Sequence, residues 1–288
     1  MNYLFRCPCC HMPLDVMGCE RCNGCGFIVE KIEGMPILVQ DRQAMERHIS
    51  KAKRFGKGDW YESEHAVQTK GPYRHHLAKR REYLESTLAS YTSNKKQLRG
   101  IDLGCGDGIN LSLLSRHVEE LYGSDYNLVR LIRALGHHTA DLLFLADVID
   151  YPVQDDSFDL ILFNHVLEHI PDDIKALNEV YRILKPGGLL ILGVPNEGAF
   201  FWQLAYRFQP HVLAASDHVQ FYTAESISDK CSRAGFRVHE VHPIGWGIPH
   251  WDIDQMIRTY KFIDDLCEWA GRKYLPSQAT SLYITATK

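Results

Sequence analysis

Three glycines in five residues, Gly104, Gly106 and Gly108, follow the short apolar run Leu98 to Leu103 and precede a helical pattern at Leu111, Leu113 and Leu114. A strand that feeds a tight turn and then a helix lets a ligand lie against bare backbone, so this stretch reads as a nucleotide-type cradle. Glycine turns that serve packing alone are the competing explanation. The residues downstream favour a ligand. Val118 to Asp125 reads as a second strand ending in an acid about 20 residues past the loop, a spacing that suits the two hydroxyls of a ribose. A third run, Leu142 to Ala146, ends at Asp147, and a fourth, Phe158 to Phe163, ends at Asn164. Each of these polar residues falls where a parallel strand leaves the sheet, the edge at which open α/β sheets bind ligands. Helix capping is the alternative role for Asp125 and Asp147, but it accounts less well for the ordered set. The loop spacing is G-x-G-x-G rather than G-x-G-x-x-G, which disfavours a nicotinamide dehydrogenase.

Taken together, IDLGCGDG at 101–108, Asp125, the Ala146-Asp147 pair, NHVLEHI at 164–170 and LKPGG at 184–188 resemble the Rossmann-like S-adenosylmethionine-dependent methyltransferases. The resemblance covers roughly residues 70–288, and five motifs occur in order at the expected strand ends. It implies a seven-stranded, doubly wound, mostly parallel sheet with one antiparallel strand. It also implies S-adenosylmethionine as cofactor, with the methionine portion on the glycine loop, the ribose on Asp125 and the adenine near Asp147. The cofactor-binding set carried over is Asp102, Gly104, Cys105, Gly106, Gly108, Asp125, Tyr126, Ala146, Asp147, Val148 and Asn164.

A second constellation lies at the other end. Six of the nine cysteines precede residue 26, and Cys7, Cys10, Cys22 and Cys25 form two C-x-x-C knuckles joined by a short loop. Two such turns place four thiolates around one tetrahedral ion, with zinc as the default and a disulfide or free thiols as the competitors. Cys9 and Cys19 are extra thiols, and Cys19 is an alternative to Cys22 as a ligand. No signal-peptide pattern precedes Cys7, so a cytoplasmic protein is expected, where metal sites are favoured over disulfides. The alternating run Gly26 to Val39 is expected to finish a small β ribbon. It is similar to the zinc ribbon of the small activator subunit of several tRNA and protein methyltransferases, and to the N-terminal module of a ribosomal-RNA guanine methyltransferase family. About 40 residues bury little core, so the metal would supply the folding energy, and chelation is expected to unfold the ribbon alone.

Methyl transfer is an in-line displacement that asks chiefly for positioning, with a base wherever the acceptor is a hydroxyl. His165, His169 and His218 are the candidate bases at the ligand edge, each with a purely structural alternative. Between the fifth strand, Leu189 to Val194, and a helix capped by Thr223 lies an insertion at about 196–222, expected to act as a lid or pocket wall. Its aromatic stripe, Phe200, Phe201, Trp202, Tyr206 and Phe208, suits an apolar or sugar-bearing acceptor, or simple packing of the lid.

These groups need elements to hold them. The 288-residue chain divides into a zinc-ribbon module at 1–40, a basic linker at 41–69 and a methyltransferase domain at 70–288. Hydrophobic content of 45% and charged content of 24% are ordinary for a soluble globular enzyme, and no apolar run approaches a membrane span. Charge is uneven: between Arg42 and Arg99 there are 14 Lys or Arg against 6 Asp or Glu, in a chain of formal net charge −4. Arg47, Lys51, Lys53, Arg54 and Lys57, then Arg74, Lys79, Arg80 and Arg81, with Trp60, Tyr61 and Tyr73 among them, could form an RNA-binding face. A solvated linker followed by an amphipathic helix from Tyr73 to Tyr91 is the preferred alternative. A small-molecule acceptor, sugar-bearing or quinone-like, is therefore favoured, with RNA as the other partner class. The sequence leaves the oligomeric state open.

Overall fold

The apolar runs between Arg99 and Pro195 are buried on both faces, as strands inside a parallel sheet must be. In the computed structural model, which describes residues 3–41, 43 and 71–288, they form β5 (Arg99–Leu103), β6 (Glu120–Asp125), β7 (Leu142–Ala146), β8 (Phe158–Asn164) and β9 (Leu184–Pro195). β10 (Arg237–Ile244) and β11 (Ser281–Thr287) complete the seven, in the spatial order β10-β11-β9-β8-β5-β6-β7. β11 runs antiparallel to both of its neighbours, and β9, β8, β5, β6 and β7 are mutually parallel. Along β8 the side chains alternate between two cores. Ile161 and Phe163 join α4 (Asp173–Ile183) and α7 (Ala224–Arg233), and Leu160 and Leu162 join α1 (Arg74–Thr92), α2 (Leu111–Leu114) and α3 (Leu128–Leu135). Helices on both faces make the sheet doubly wound. The chain order reverses at β5, which opens a crevice beyond its carboxyl end.

The N-terminal segment contains the small antiparallel sheet that was expected, and its second hairpin joins the larger sheet. β1 (Phe5–Arg6) and β2 (Pro13–Leu14) pair with each other as a two-stranded sheet, while β3 (Glu30–Ile32) and β4 (Met35–Leu38) form a hairpin. β4 then lies parallel to β7, with Ile37 opposite Leu145 and Leu38 opposite Ala146, so the sheet has nine strands. The physical reason is in the side chains: all four residues of β4 are buried, which a two-layer knuckle cannot provide. Phe5 inserts between Phe144 and Tyr122, at ring-centroid distances of 5.1 and 6.5 Å. Arg6 donates to the Tyr151 carbonyl at 3.1 Å and to Glu179 at 3.1 Å. Phe5, Leu14, Val16 and Val29 belong to the same core cluster as Phe144 and Phe163.

Residues 196–222 form α5 (Phe200–Phe208), α6 (Pro210–Ala215) and an extended return. The return is pinned by Val219 and Gln220, whose N–H groups donate to the Glu168 carbonyl at 2.8 and 3.1 Å. Thr223 caps α7 through a reciprocal bond with Ser226, as its position suggested. Two helices between β10 and β11 were not anticipated: α8 (Trp251–Arg258) and α9 (Lys261–Tyr274). They are joined through the buried Arg258, which reaches Asp254 at 3.4 Å and Asp264 at 2.8 Å. Arg47, Lys51, Lys53, Arg54, Lys57, Trp60 and Tyr61 of the basic segment lie outside the described residues. α1 is the packed helix that was favoured, with Leu84 and Leu88 in the core. Two cations of its proposed RNA face are engaged within the fold, Lys79 with Asp264 and Asp265 and Arg80 with the Tyr283 hydroxyl. No helix of the described residues is long and apolar enough to cross a membrane.

Candidate active site

The glycine loop leaves β5 through positive φ angles of 73° at Gly104 and 53° at Gly106. A Cβ at Gly104 would collide with the Val166 side chain, and one at Gly106 would sit 2.9 Å from the Arg130 guanidinium. Backbone conformation demands glycine at both positions, and at Gly104 the space beside Val166 demands it too. The loop is tied to β6: Gly104 and Cys105 N–H donate to the Ser124 carbonyl at 2.7 and 2.9 Å, and Gly106 N–H donates to Asp125 Oδ2 at 2.8 Å. Asp125 Oδ1 accepts from Asn127 N–H at 2.7 Å. Burial raises the Asp125 pKa above the ordinary value, against the pull of the Asn127 and Gly106 N–H groups and of Arg130. Asp102 lies beneath the loop, buried, and its pKa stands well above the usual range through burial and the nearby Asp125 charge.

Beyond the loop is a cleft of about 410 Å³. Of the residues expected at a cofactor, Gly104, Asp125, Tyr126, Ala146, Asp147 and Val148 line it. Gly106, Gly108 and Cys105 build the loop without lining the cleft, and Asp102 within β5 and Asn164 at the end of β8 also fall outside the lining. The capping explanation holds for part of Asp147, whose Oδ1 accepts from Ile149 N–H at 3.1 Å at the head of a single helical turn. It does not hold for Asp125, because Asn127 caps α3. Tyr151, Arg130 and Ile170 also line the cleft and were not foreseen. Arg130 comes from the first turn of α3, and Tyr151 and Ile170 from the segments that follow β7 and β8.

His165 and His169 line the cleft as well; His218 stands across from His169 on the extended return of residues 196–222, with ring centroids 4.8 Å apart. His165 takes the left-handed conformation, φ 55°, and its Nδ1 lies 3.3 Å from Glu168 Oε1. Its Nε2 has no hydrogen-bond partner, and burial, reinforced by the Arg80 charge, lowers its pKa to about 4. Glu168 is 1% exposed, and burial alone would raise its pKa. The hydrogen bond from His165 and the charges of His165, His169 and His218 instead hold it at about 2. His218 Nδ1 lies 2.8 Å from both oxygens of the buried Glu197, which also accepts from Tyr206. Burial opposes the charged form of His218, yet Glu197 raises its pKa. Glu168 and Glu197 were missed as site residues. The signal for Glu168 was its place in NHVLEHI between two histidines; Glu197 carried none.

At the N-terminus, Cys7, Cys10, Cys22 and Cys25 offer sulfurs that all lie within 4.8 Å of one another. Cys7 and Cys25 sulfurs are 3.5 Å apart and Cys10 and Cys22 sulfurs 3.6 Å. These separations exceed a disulfide bond of about 2.05 Å and approach the edge of about 3.8 Å of a tetrahedron with zinc–sulfur bonds of about 2.3 Å. Both knuckles turn alike: the residue after each second cysteine, His11 and Gly26, takes positive φ, 60° and 78°. Cys9 and Cys19 stand outside the cluster, so Cys22 rather than Cys19 completes it.

The sequence from 73 to 241, well over half of the chain, matches the family described as methyltransferase domain. The chain belongs to that family. Among its relatives, this methyltransferase-domain protein is 26% identical over 155 residues to the ubiquinone biosynthesis O-methyltransferase of Psychrobacter arcticus, covering 49% of this chain and 60% of that protein. It is 31% identical over 131 residues to the malonyl-(acyl-carrier protein) O-methyltransferase of Erwinia billingiae, covering 44% and 51%. The chain thus spans about half the length of the relatives it matches. In fold it is similar to an S-adenosylmethionine-dependent methyltransferase from Mesorhizobium loti, with a TM-score of 0.51 and 19% identity over 70% of this chain and 96% of that one.

Proposed function

We propose that this protein is an S-adenosylmethionine-dependent methyltransferase acting on an oxygen or nitrogen atom of a small organic acceptor. The observation that carries this reading is the convergence of Gly104, Asp125 and Asp147 on one cleft at the ends of three parallel strands. Backbone at Gly104, on the turn that Gly106 shapes, would take the amino-acid end of the donor, Asp125 the ribose hydroxyls, and Asp147, with Tyr126, Ala146 and Val148, the adenine side. When bound there, S-adenosylmethionine supplies a methyl group activated on a sulfonium. The remaining work is positioning and proton handling by the chain's own residues. His165 is the residue we assign as proton acceptor for an acceptor hydroxyl. It lines the cleft, its Nε2 has no partner, and Glu168 holds the other ring nitrogen. His169 and His218 stand behind it, toward the lid. Residues 196–222 would exclude water from above, and the relatives' O-methyltransferase names favour an oxygen acceptor.

The four-cysteine cluster fits zinc in donor type, number and spacing, with Cys7, Cys10, Cys22 and Cys25 as ligands and a structural role. We assign residues 1–40 to this module, 41–69 to the linker and 70–288 to the catalytic domain. An RNA substrate finds less support, because Lys79 and Arg80 of its proposed face are engaged within the fold. The test is an acceptor screen with radiolabelled S-adenosylmethionine, metabolite pools against total RNA, alongside calorimetric binding of S-adenosylhomocysteine. Label in the metabolite pool is expected. Absence of S-adenosylhomocysteine binding would overturn the donor assignment, and label in RNA alone would overturn the acceptor class.

A further inference from the structure

We propose that Glu168, His169 and His218 form a second metal site, distinct from the cysteine cluster, which holds a divalent transition-metal ion between the cleft and the lid. The three residues offer ligand atoms that all lie within 4.8 Å of one another. One carboxylate and two imidazoles are the donor set of a facial site that leaves other coordination positions open.

Three further observations point to an ion rather than to a hydrogen-bond network. Glu168 is 1% exposed, and its Oε2 is buried with no hydrogen-bond partner, while Oε1 is occupied by His165. A buried carboxylate oxygen without a partner is costly, and a cation relieves it. His218 presents its Nδ1 to both oxygens of Glu197 at 2.8 Å, which leaves Nε2 as the ligand. A carboxylate behind the far nitrogen is the arrangement that orients metal-binding histidines. Glu197 is itself 2% exposed and fixed by Tyr206, so this support is rigid. Asp217 lies 3.8 Å from His169 Nδ1 and gives the second histidine a carboxylate neighbour too. The site also joins two segments distant in sequence. Glu168 and His169 end the β8 segment, His218 comes from the lid, and Val219 and Gln220 N–H on the Glu168 carbonyl hold them in register. Because His169 also lines the cleft, the open positions would take oxygen atoms of the acceptor, a consequence that rests on the methyl-transfer reading.

The probe is Co²⁺, titrated into the zinc-loaded full chain and followed by its visible absorption. Uptake of one Co²⁺ per chain without a sulfur-to-metal charge-transfer band is expected. Glu168→Gln and His218→Ala are expected to abolish that uptake, and Glu197→Gln to weaken it about 10- to 100-fold through lost orientation of His218. Each variant is checked by its thermal transition and by S-adenosylhomocysteine binding. Should Glu168→Gln not fold, His218→Ala on the partly exposed lid decides. No uptake, uptake with a sulfur band alone, or equal uptake by wild type and His218→Ala would overturn the site. Loss of S-adenosylhomocysteine binding by the wild type would instead count against methyl transfer and leave the metal result standing.

Discussion

Phe5 packs the cysteine-bearing segment into the core of the catalytic sheet, and Phe5→Ala tests whether the two fold as one unit. The side chain is 5% exposed and packs edge-on against Phe144 and Tyr122. Its backbone is bridged to Val153, and its carbonyl accepts from Gln154 at 3.2 Å. Those backbone links survive truncation, so the substitution removes the ring and leaves a cavity. Phe→Ala in a core typically costs about 3–5 kcal/mol, and Phe5 sits in the same cluster as Phe163 and Leu190 beneath the cleft. At about 2 °C per kcal/mol for a chain of this size, the melting temperature should fall by about 6–10 °C. Calorimetry should show one transition in the wild type, moved as a whole in the variant. Metal removal should lower the same transition, because β1 is held in place by the knuckle that Cys7 begins. If the knuckles position Phe5, the ring should be worth much less in metal-free protein, a coupling that a double-perturbation cycle measures. Two separate transitions, with the larger one unchanged by Phe5→Ala or by chelation, would refute the shared core and restore an independent ribbon.

The remaining predictions concern charge. Asp125→Asn should weaken S-adenosylhomocysteine about 10- to 150-fold by calorimetry, since a charge-assisted hydrogen bond is worth about 1.5–3 kcal/mol; equal affinity would remove Asp125 from the donor site. Arg258→Ala should destabilise the fold by about 3–5 kcal/mol in urea, because Asp254 and Asp264 would be left buried and unpaired, and a loss under about 1 kcal/mol would refute this. Asp102 has a folded pKa raised above its unfolded value, so its contribution is fully present below about pH 3.9 and is lost as pH rises through the folded pKa. Asp102→Asn should therefore gain stability relative to wild type as pH rises above about 3.9, and parallel pH profiles would sink the argument. Bulk RNA should bind weakly at physiological salt and be unaffected by Lys79→Ala, whereas tight, steeply salt-dependent binding lost on neutralising Lys79, Arg80 and Arg81 would favour the RNA enzyme.

The parts of this fold that were readable share one property: their determinants are local. β5 to β8 are short runs of apolar residues because each is covered on both faces, and Thr223 caps α7 through residues three positions away. The hairpin of β3 and β4 was readable as strands but not as part of the catalytic sheet, since its partner β7 lies about a hundred residues further along. The four consecutive buried residues of β4 were the available clue, for a strand in a thin ribbon would show one wet face. α8 and α9 escaped for the opposite reason. Asp254, Arg258 and Asp264 are buried while Phe262 and Trp269 are exposed, so the usual relation between polarity and burial is inverted there. The candidate site divides along the same line. Gly104, Asp125 and Asp147 announce themselves because each must end a strand, and the strand pattern marks the position. Glu168 and Glu197 are buried acids set against His165 and His218, and the segment 196–222 supplies part of each pair's surroundings. Spacing along the chain records neither, so a buried acid between histidines becomes informative only once the return at 216–220 has placed His218 against it.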